Sequence, residues 1–185
     1  MPKYAVIVPA AGSSQRFGGL EKKRFAKLDG RAVFLRTLEA FINREDVCQT
    51  ILVIGSEDLD KMRSSYGANL AFMNVRLIEG GLRRCDSVTS ALRELKVEAE
   101  YVAIHDAVRP CVSQDMIDAV FAEAVKTGAA ILASPVSATL KRVSDAKVVE
   151  ETISREGLYE AQTPQVFRKS LLLEAYQKLD KDAVV

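Results

Sequence analysis

The sequence has no tryptophan, one histidine and only three cysteines among 185 residues. Cys48, Cys85 and Cys111 lie far apart and none belongs to a C-x-x-C pair. That argues against a disulfide framework and, with His105 standing alone, against a zinc site. The thiols read as reduced, in a cytoplasmic protein. No apolar run reaches the roughly 18 residues of a membrane span. The opening "MPKYAVIVPA" carries one lysine and runs straight into a glycine-containing loop, as a first strand does and a secretion signal does not. A net charge of +1 gives nothing to draw the chain to nucleic acid or an anionic membrane. Internal repeats, low-complexity tracts and linker-like stretches are missing as well.

What is present is an alternation. The runs 4–10, 50–55, 75–80, 101–106 and 129–136 are short, apolar and β-rich, and most end at Gly, Pro or a polar residue. Their near-continuous apolarity suits strands covered on both faces, as in a mainly parallel sheet. Between them the period becomes helical. Phe34, Leu38, Phe41 and Ile42 share one face after an Asp29-Gly30 turn, as do Val88, Ala91, Leu92 and Leu95, and Ile117, Val120, Phe121 and Ala124. Ser113 is placed to cap the last of these, with Asp115 in its first turn. The pattern predicts one α/β domain with right-handed crossovers and helices on both faces.

Beyond Pro135 the alternation stops. Residues 138–153 read as two strands around a Ser144–Lys147 turn, too polar for a core, and so as a hairpin arm leaving the body. The stretch 157–167 returns to the body, and Leu171, Leu172, Ala175 and Leu179 predict a further helix.

Three turns carry the chemistry. In "VPAAGSSQRFGGLEKKRF" a buried strand gives way to Ala10, Ala11 and Gly12, whose small side chains let a ligand meet backbone N–H groups. Arg16, Lys22, Lys23, Arg24 and Lys27 follow, opposed only by Glu21. Neither a Walker A loop nor G-x-G-x-x-G is present, so the choice lies between a solvated basic loop and a polyphosphate cradle of another kind, and the small-residue turn favours the cradle. "EGGLRRCDSV" places Gly80 and Gly81 at a strand end and Ser87 near a helix start, as a tight turn or a ligand contact. In "HDAVRPC", Asp106 is either a turn residue or a magnesium ligand beside phosphates. Arg109 either meets a phosphate or pairs with Asp106, and His105 reads as orienting or structural.

Taken together, these stretches resemble the 2-C-methyl-D-erythritol 4-phosphate cytidylyltransferase family over essentially the whole chain. "VPAAGSSQRF" is similar to its P-A-A-G-x-G/S-x-R-[MF] loop, "EGGLRRCDSV" to G-G-x-x-R-x-x-S-V, and "HDAVRPC" to H-D-A-A/V-R-P; "PVSATLKRV" and "SREGLYEAQTPQVF" match two later segments. The resemblance implies a Rossmann-like nucleotidyltransferase domain over 1–185, incomplete at its C-terminal end, with a protruding arm over about residues 137–156. It implies transfer of CMP from CTP to methylerythritol phosphate with release of pyrophosphate, a magnesium ion on Asp106, and a homodimer joined through the arm, with no nucleic acid or membrane partner. Arg16 and Lys23 would surround the α-phosphate. Ala10, Ala11, Gly12, Gly80, Gly81 and Ser87 would hold the nucleotide. Asp106, Arg109, Thr139, Arg155 and Thr163 would bind the second substrate, Thr139 and Arg155 acting in the neighbouring subunit.

The chain departs from the family at Lys22-Lys23-Arg24-Phe25, where P-K-Q-Y/F is usual; the lysine is kept, and the extra charge is expected to be redistributed around the triphosphate. The remaining alternatives are cytidylyl transfer to ribitol 5-phosphate or another polyol phosphate, and a non-catalytic nucleotide-binding module.

Overall fold

The computed structural model describes residues 1–12 and 22–179. Along the chain the elements are β1 (Tyr4–Ala10), a 3-10 turn (Lys23–Phe25), β2 (Lys27–Leu28), β3 (Arg31–Ala32), α1 (Val33–Ile42), β4 (Val47–Ile54), α2 (Ser56–Phe72) and β5 (Val75–Glu79). There follow α3 (Arg84–Leu92), β6 (Tyr101–Ile104), α4 (Gln114–Thr127), β7 (Ala129–Pro135), β8 (Leu140–Val143), β9 (Val149–Ile153), β10 (Tyr159–Arg168) and α5 (Lys169–Gln177).

Six strands form the central sheet in the order β5-β4-β1-β6-β10-β7. The first four are parallel, and β10 runs antiparallel to both β6 and β7. Side chains of a strand alternate between faces, so β1 feeds two cores. Val6 and Val8 join Phe34, Leu38 and Phe41 of α1, Met62 of α2 and Phe121 of α4. Ile7, level with Ile51 of β4 and Ile104 of β6, faces Val88 and Ala91 of α3 and Leu172 of α5. Helices therefore cover both faces of the parallel strands, but the 129–136 run departs from the expectation: β7 is an antiparallel strand at the end of the sheet order, with alternate residues exposed. Each fully buried Ile or Leu in these layers contributes roughly 1.5–3 kcal/mol of transfer free energy.

The local signals behave as their chemistry predicts. Asp29 and Gly30 both adopt positive φ, 52° and 73°, in the two-residue turn between β2 and β3. Ser113 caps α4, its Oγ accepting from the Met116 amide at 3.2 Å, and Gly128 closes that helix with φ 86°. The hairpin β8–β9 forms its own two-stranded sheet, and Lys147 N donates to Ser144 O at 2.8 Å in its turn.

Two expectations need correction. The predicted stripe of the last helix is out of step: Leu171 and Ala175 are exposed and Leu179 lies beyond the helix, while Leu172 is buried with Leu173 and Tyr176 packed beside it. The longest helix, α2, has no counterpart in the sequence reading. It does carry a narrow apolar line, Leu59, Met62, Tyr66 and Leu70, which packs on the core, but polar residues and the exposed Phe72 surround it, and the sequence reading passed over it. No helix among the described residues is long and apolar enough to cross a membrane.

Candidate active site

In an open α/β sheet, ligands bind beyond the carboxyl ends of the parallel strands. Three of the predicted turns leave the sheet at that edge: Ala11 and Gly12 after β1, Gly80 and Gly81 after β5, and His105 and Asp106 after β6. The antiparallel β10 reaches the same edge from the other direction, because Gln165 pairs with Ile104. Its register against β7 shifts between Ala161 and Gln165, in the stretch that carries Gln162 and Thr163.

Asp106 is the centre of this arrangement. Its amide donates to Thr163 Oγ1 at 3.3 Å. Its carboxylate accepts from Arg109 Nε at 3.0 Å on one oxygen and from Arg84 Nη2 at 3.2 Å on the other. Arg109 also donates to Gln162 Oε1. The two guanidiniums, 47% and 45% exposed, thus keep donors available on the open side of the cleft.

His105 is fully buried. Its Nε2 faces the Arg109 carbonyl at 3.0 Å and must be the protonated nitrogen, while Nδ1 has no partner among the described residues. Burial is the main cause that lowers its pKa below 6.5, so the ring is held neutral as a strut under the 105–109 turn. Thr37 Oγ1 supports the same turn by donating to Ala107 O at 2.9 Å.

At the β5 turn, glycine is required by space. A Cβ on Gly80 would stand 2.5 Å from Ser87 Oγ and 2.8 Å from Val53 Cγ1, and one on Gly81 would collide with the Asp86 Cβ. Ser87 is buried and donates to Gly81 O at 3.3 Å. Asp86 accepts from the Arg83 amide at 3.2 Å and caps α3, its hydrogen bonds with Arg83 lowering its pKa. By contrast, a Cβ on Gly12 would meet nothing within 4 Å among the described residues. Ala10 is buried and Ala11 half-buried behind it.

The predicted residues are not all gathered in one place. Lys23 is exposed in the 3-10 turn; Arg16 lies outside the described residues. Thr139 and Arg155 flank the base of the hairpin, and Arg155 donates to Ser137 O. Among the described residues, neither makes a hydrogen bond or ion pair with Asp106, Arg109 or Thr163. The extra charge at Lys22 and Arg24 is met within the chain: Lys22 pairs with Glu57 and Asp58 of α2, and Arg24 with Asp58. Sequence reasoning also missed Arg84, although it occupies the arginine of the G-G-x-x-R segment. Among the described residues, no group of three or more His, Cys, Asp or Glu side chains is arranged to hold a metal ion.

Comparison with known proteins agrees with this geometry. Residues 4–185 match the family model for IspD, 2-C-methyl-D-erythritol 4-phosphate cytidylyltransferase. The enzyme of that name from Rhodopirellula baltica is 42% identical, over 94% of this chain and 75% of its own length. The one from Solibacter usitatus is 39% identical, over 99% of this chain and 79% of its own. Among solved structures, the 4-diphosphocytidyl-2C-methyl-D-erythritol synthase of Anaerococcus prevotii superposes with a TM-score of 0.80 at 29% identity, covering 100% of this chain and 78% of that one. With five ordered motifs, a matching sheet and matches of this extent, the chain belongs to the 2-C-methyl-D-erythritol 4-phosphate cytidylyltransferase family.

Proposed function

We propose that the cleft beyond β1, β5 and β6 binds CTP and 2-C-methyl-D-erythritol 4-phosphate together and transfers CMP to the sugar phosphate. The observation that carries this reading is the Arg84–Asp106–Arg109 cluster, which holds two guanidiniums at the sheet edge where the glycine turns converge. Ala10, Ala11 and Gly12 offer backbone groups to the triphosphate, and Gly80, Gly81 and Ser87 form a narrow turn for the base. Arg109 and Thr163 serve the acceptor phosphate. Thr139 and Arg155 reach the acceptor from a second copy of the chain. The exposed apolar residues Val143, Val148 and Val149 of the arm support that homodimer as a surface for the partner.

The acceptor phosphate is itself the nucleophile. One of its oxygens forms a bond to the α-phosphorus, the bond from that phosphorus to the bridging oxygen breaks, and pyrophosphate leaves with the electron pair. No strong general base is needed, in keeping with the buried, neutral His105. The obstacle is the approach of one anion to another, and fixed positive charge lowers it. Arg16 and Lys23 supply that charge at the α-phosphate; Arg84 and Arg109 draw in the acceptor.

Asp106 suits a magnesium ion in one manner, as a single carboxylate sharing the ion with phosphate oxygens and water. Each of its oxygens accepts one guanidinium N–H and retains acceptor capacity, and the side chain is 31% exposed. The bound ion would neutralise and orient the triphosphate tail. The three cysteines are free thiols, which supports a cytoplasmic setting.

The test is pyrophosphate release from CTP with methylerythritol phosphate and ribitol 5-phosphate assayed side by side. Turnover confined to the first acceptor is expected. Faster turnover of the second would reassign the substrate, and CTP binding without release would reduce the protein to a binding module.

A further inference from the structure

Lys22 and Arg24, the residues that set this chain apart from its family's usual motif, do not face an open cleft. Arg24 is 2% exposed. Its Nη1 donates to the Gly12 carbonyl at 2.5 Å, and its Nη2 pairs with Asp58. Lys22 Nζ reaches Asp58 at 2.6 Å and Glu57 at 2.8 Å. Both carboxylates stand in the first turn of α2, where the helix dipole favours them. Gly55 leaves room for this: a Cβ there would lie 2.5 Å from the Glu57 carboxylate. Next along the chain, Phe25 is buried between Tyr66, stacked at 5.9 Å, and Phe34, edge-on at 6.3 Å. Lys23 is thus an exposed residue between fixed neighbours.

A guanidinium is costly to bury unless it is paired and bonded, and here it joins two separate elements. We propose that Arg24, with Lys22, Glu57 and Asp58, is a positioning cluster: it locks the backbone of Lys23 to the Gly12 end of β1, so that ammonium and backbone address one triphosphate. The cluster's two cations and two carboxylates cancel, which keeps Lys22 and Arg24 from gripping phosphate themselves. Arg24 should therefore act on turnover through Lys23 and barely on nucleotide affinity. This rests on the assignment of Lys23 to the triphosphate.

The experiment is a mutant cycle on pyrophosphate release, with kcat and KM for CTP measured for Arg24→Gln, Lys23→Ala and the two combined, and urea unfolding alongside. Lys23→Ala alone tests the underlying assignment, and an unchanged kcat removes Lys23 and the cluster's role together. With Lys23 in place, Arg24→Gln is expected to lower kcat by on the order of 10- to 100-fold, the scale of a misplaced group, with KM for CTP within about twofold. In the Lys23→Ala chain the same change should add nothing. A loss that persists undiminished without Lys23, or a rise in KM for CTP matching the fall in kcat, overturns the proposal while leaving the Lys23 assignment intact. Should Arg24→Gln fail to fold, Arg24→Gln with Asp58→Asn replaces the ion pair by two amides, and the same split is expected of it.

Discussion

Arg84, at the start of α3, donates to Asp106 Oδ1 at 3.2 Å, although β4 and β1 lie between β5 and β6 in the sheet. The contact ties the turn after β5 to the turn after β6 across the sheet edge. Asp106→Asn keeps the size of the side chain and removes the charge that orients both arginines. Charge-assisted hydrogen bonds of this kind contribute about 1.5–3 kcal/mol each, so kcat/KM for methylerythritol phosphate should fall by about 10²-fold. Steady-state kinetics at saturating CTP measures it; a change below threefold would remove Asp106 from the site.

The glycines separate by what a methyl group would meet. Gly80→Ala drives a Cβ against Ser87 Oγ at 2.5 Å and Val53 at 2.8 Å, and overpacking of this kind costs roughly 1–3 kcal/mol in urea unfolding. Gly12→Ala meets nothing within 4 Å among the described residues, so its stability should stay within about 0.5 kcal/mol of the parent. Its CTP affinity should nonetheless fall, because the space it fills is where the ligand comes close. Unchanged CTP affinity in Gly12→Ala would remove the β1 turn from the nucleotide site.

Arg155 lies just beyond β9 and donates to Ser137 O; among the described residues it makes no hydrogen bond or ion pair with the Asp106 cluster. Arg155→Ala should raise KM for the sugar phosphate while leaving that for CTP nearly unchanged. Deleting the hairpin should shift the mass in solution from dimer to monomer. Equal losses for both substrates would count against the assignment.

Tyr4 supplies a pH dependence. Burial, with help from Asp46, pushes its phenol up to about 12 from 10.0, and its hydroxyl donates to Phe121 O at 3.4 Å. A group whose folded pKa is raised contributes stability that is complete below the unfolded value and is lost as pH rises through the folded one. Between pH 10.0 and about 12, the protein should therefore lose on the order of 2 kcal/mol that Tyr4→Phe does not lose. Urea unfolding of both proteins at pH 9 and pH 12 measures the difference; parallel losses would contradict it.

Much of this fold is legible in the sequence because its signals are local. The runs at 4–10, 50–55 and 101–106 mark buried strands, 129–136 marks a strand but not its half-exposed position at the end of the sheet, and Ser113 and Asp29-Gly30 mark a cap and a turn. The helix α2 escapes because its core-facing line, Leu59, Met62, Tyr66 and Leu70, is only one residue wide and is set among charged and polar residues. For the same reason the partners of Lys22 and Arg24 are invisible: charges 34 to 36 positions apart become a pair only after α2 has been placed. The site divides likewise. Asp106, Arg109 and the glycine turns announce themselves by following strands, whereas Arg84, although it sits in the G-G-x-x-R segment, stands out from the neighbouring Arg83 only through its contact with Asp106.

The central claim is that a nucleoside triphosphate lies along the β1 turn with its base at Gly80 and its α-phosphate near Lys23. Crystals grown with CTP and magnesium measure this directly. The account predicts phosphate oxygens within hydrogen-bonding distance of the Ala11 and Gly12 amides and of Lys23, and cytosine against the Gly80–Gly81 turn. Nucleotide bound elsewhere, with that edge of the sheet left to solvent, would contradict it.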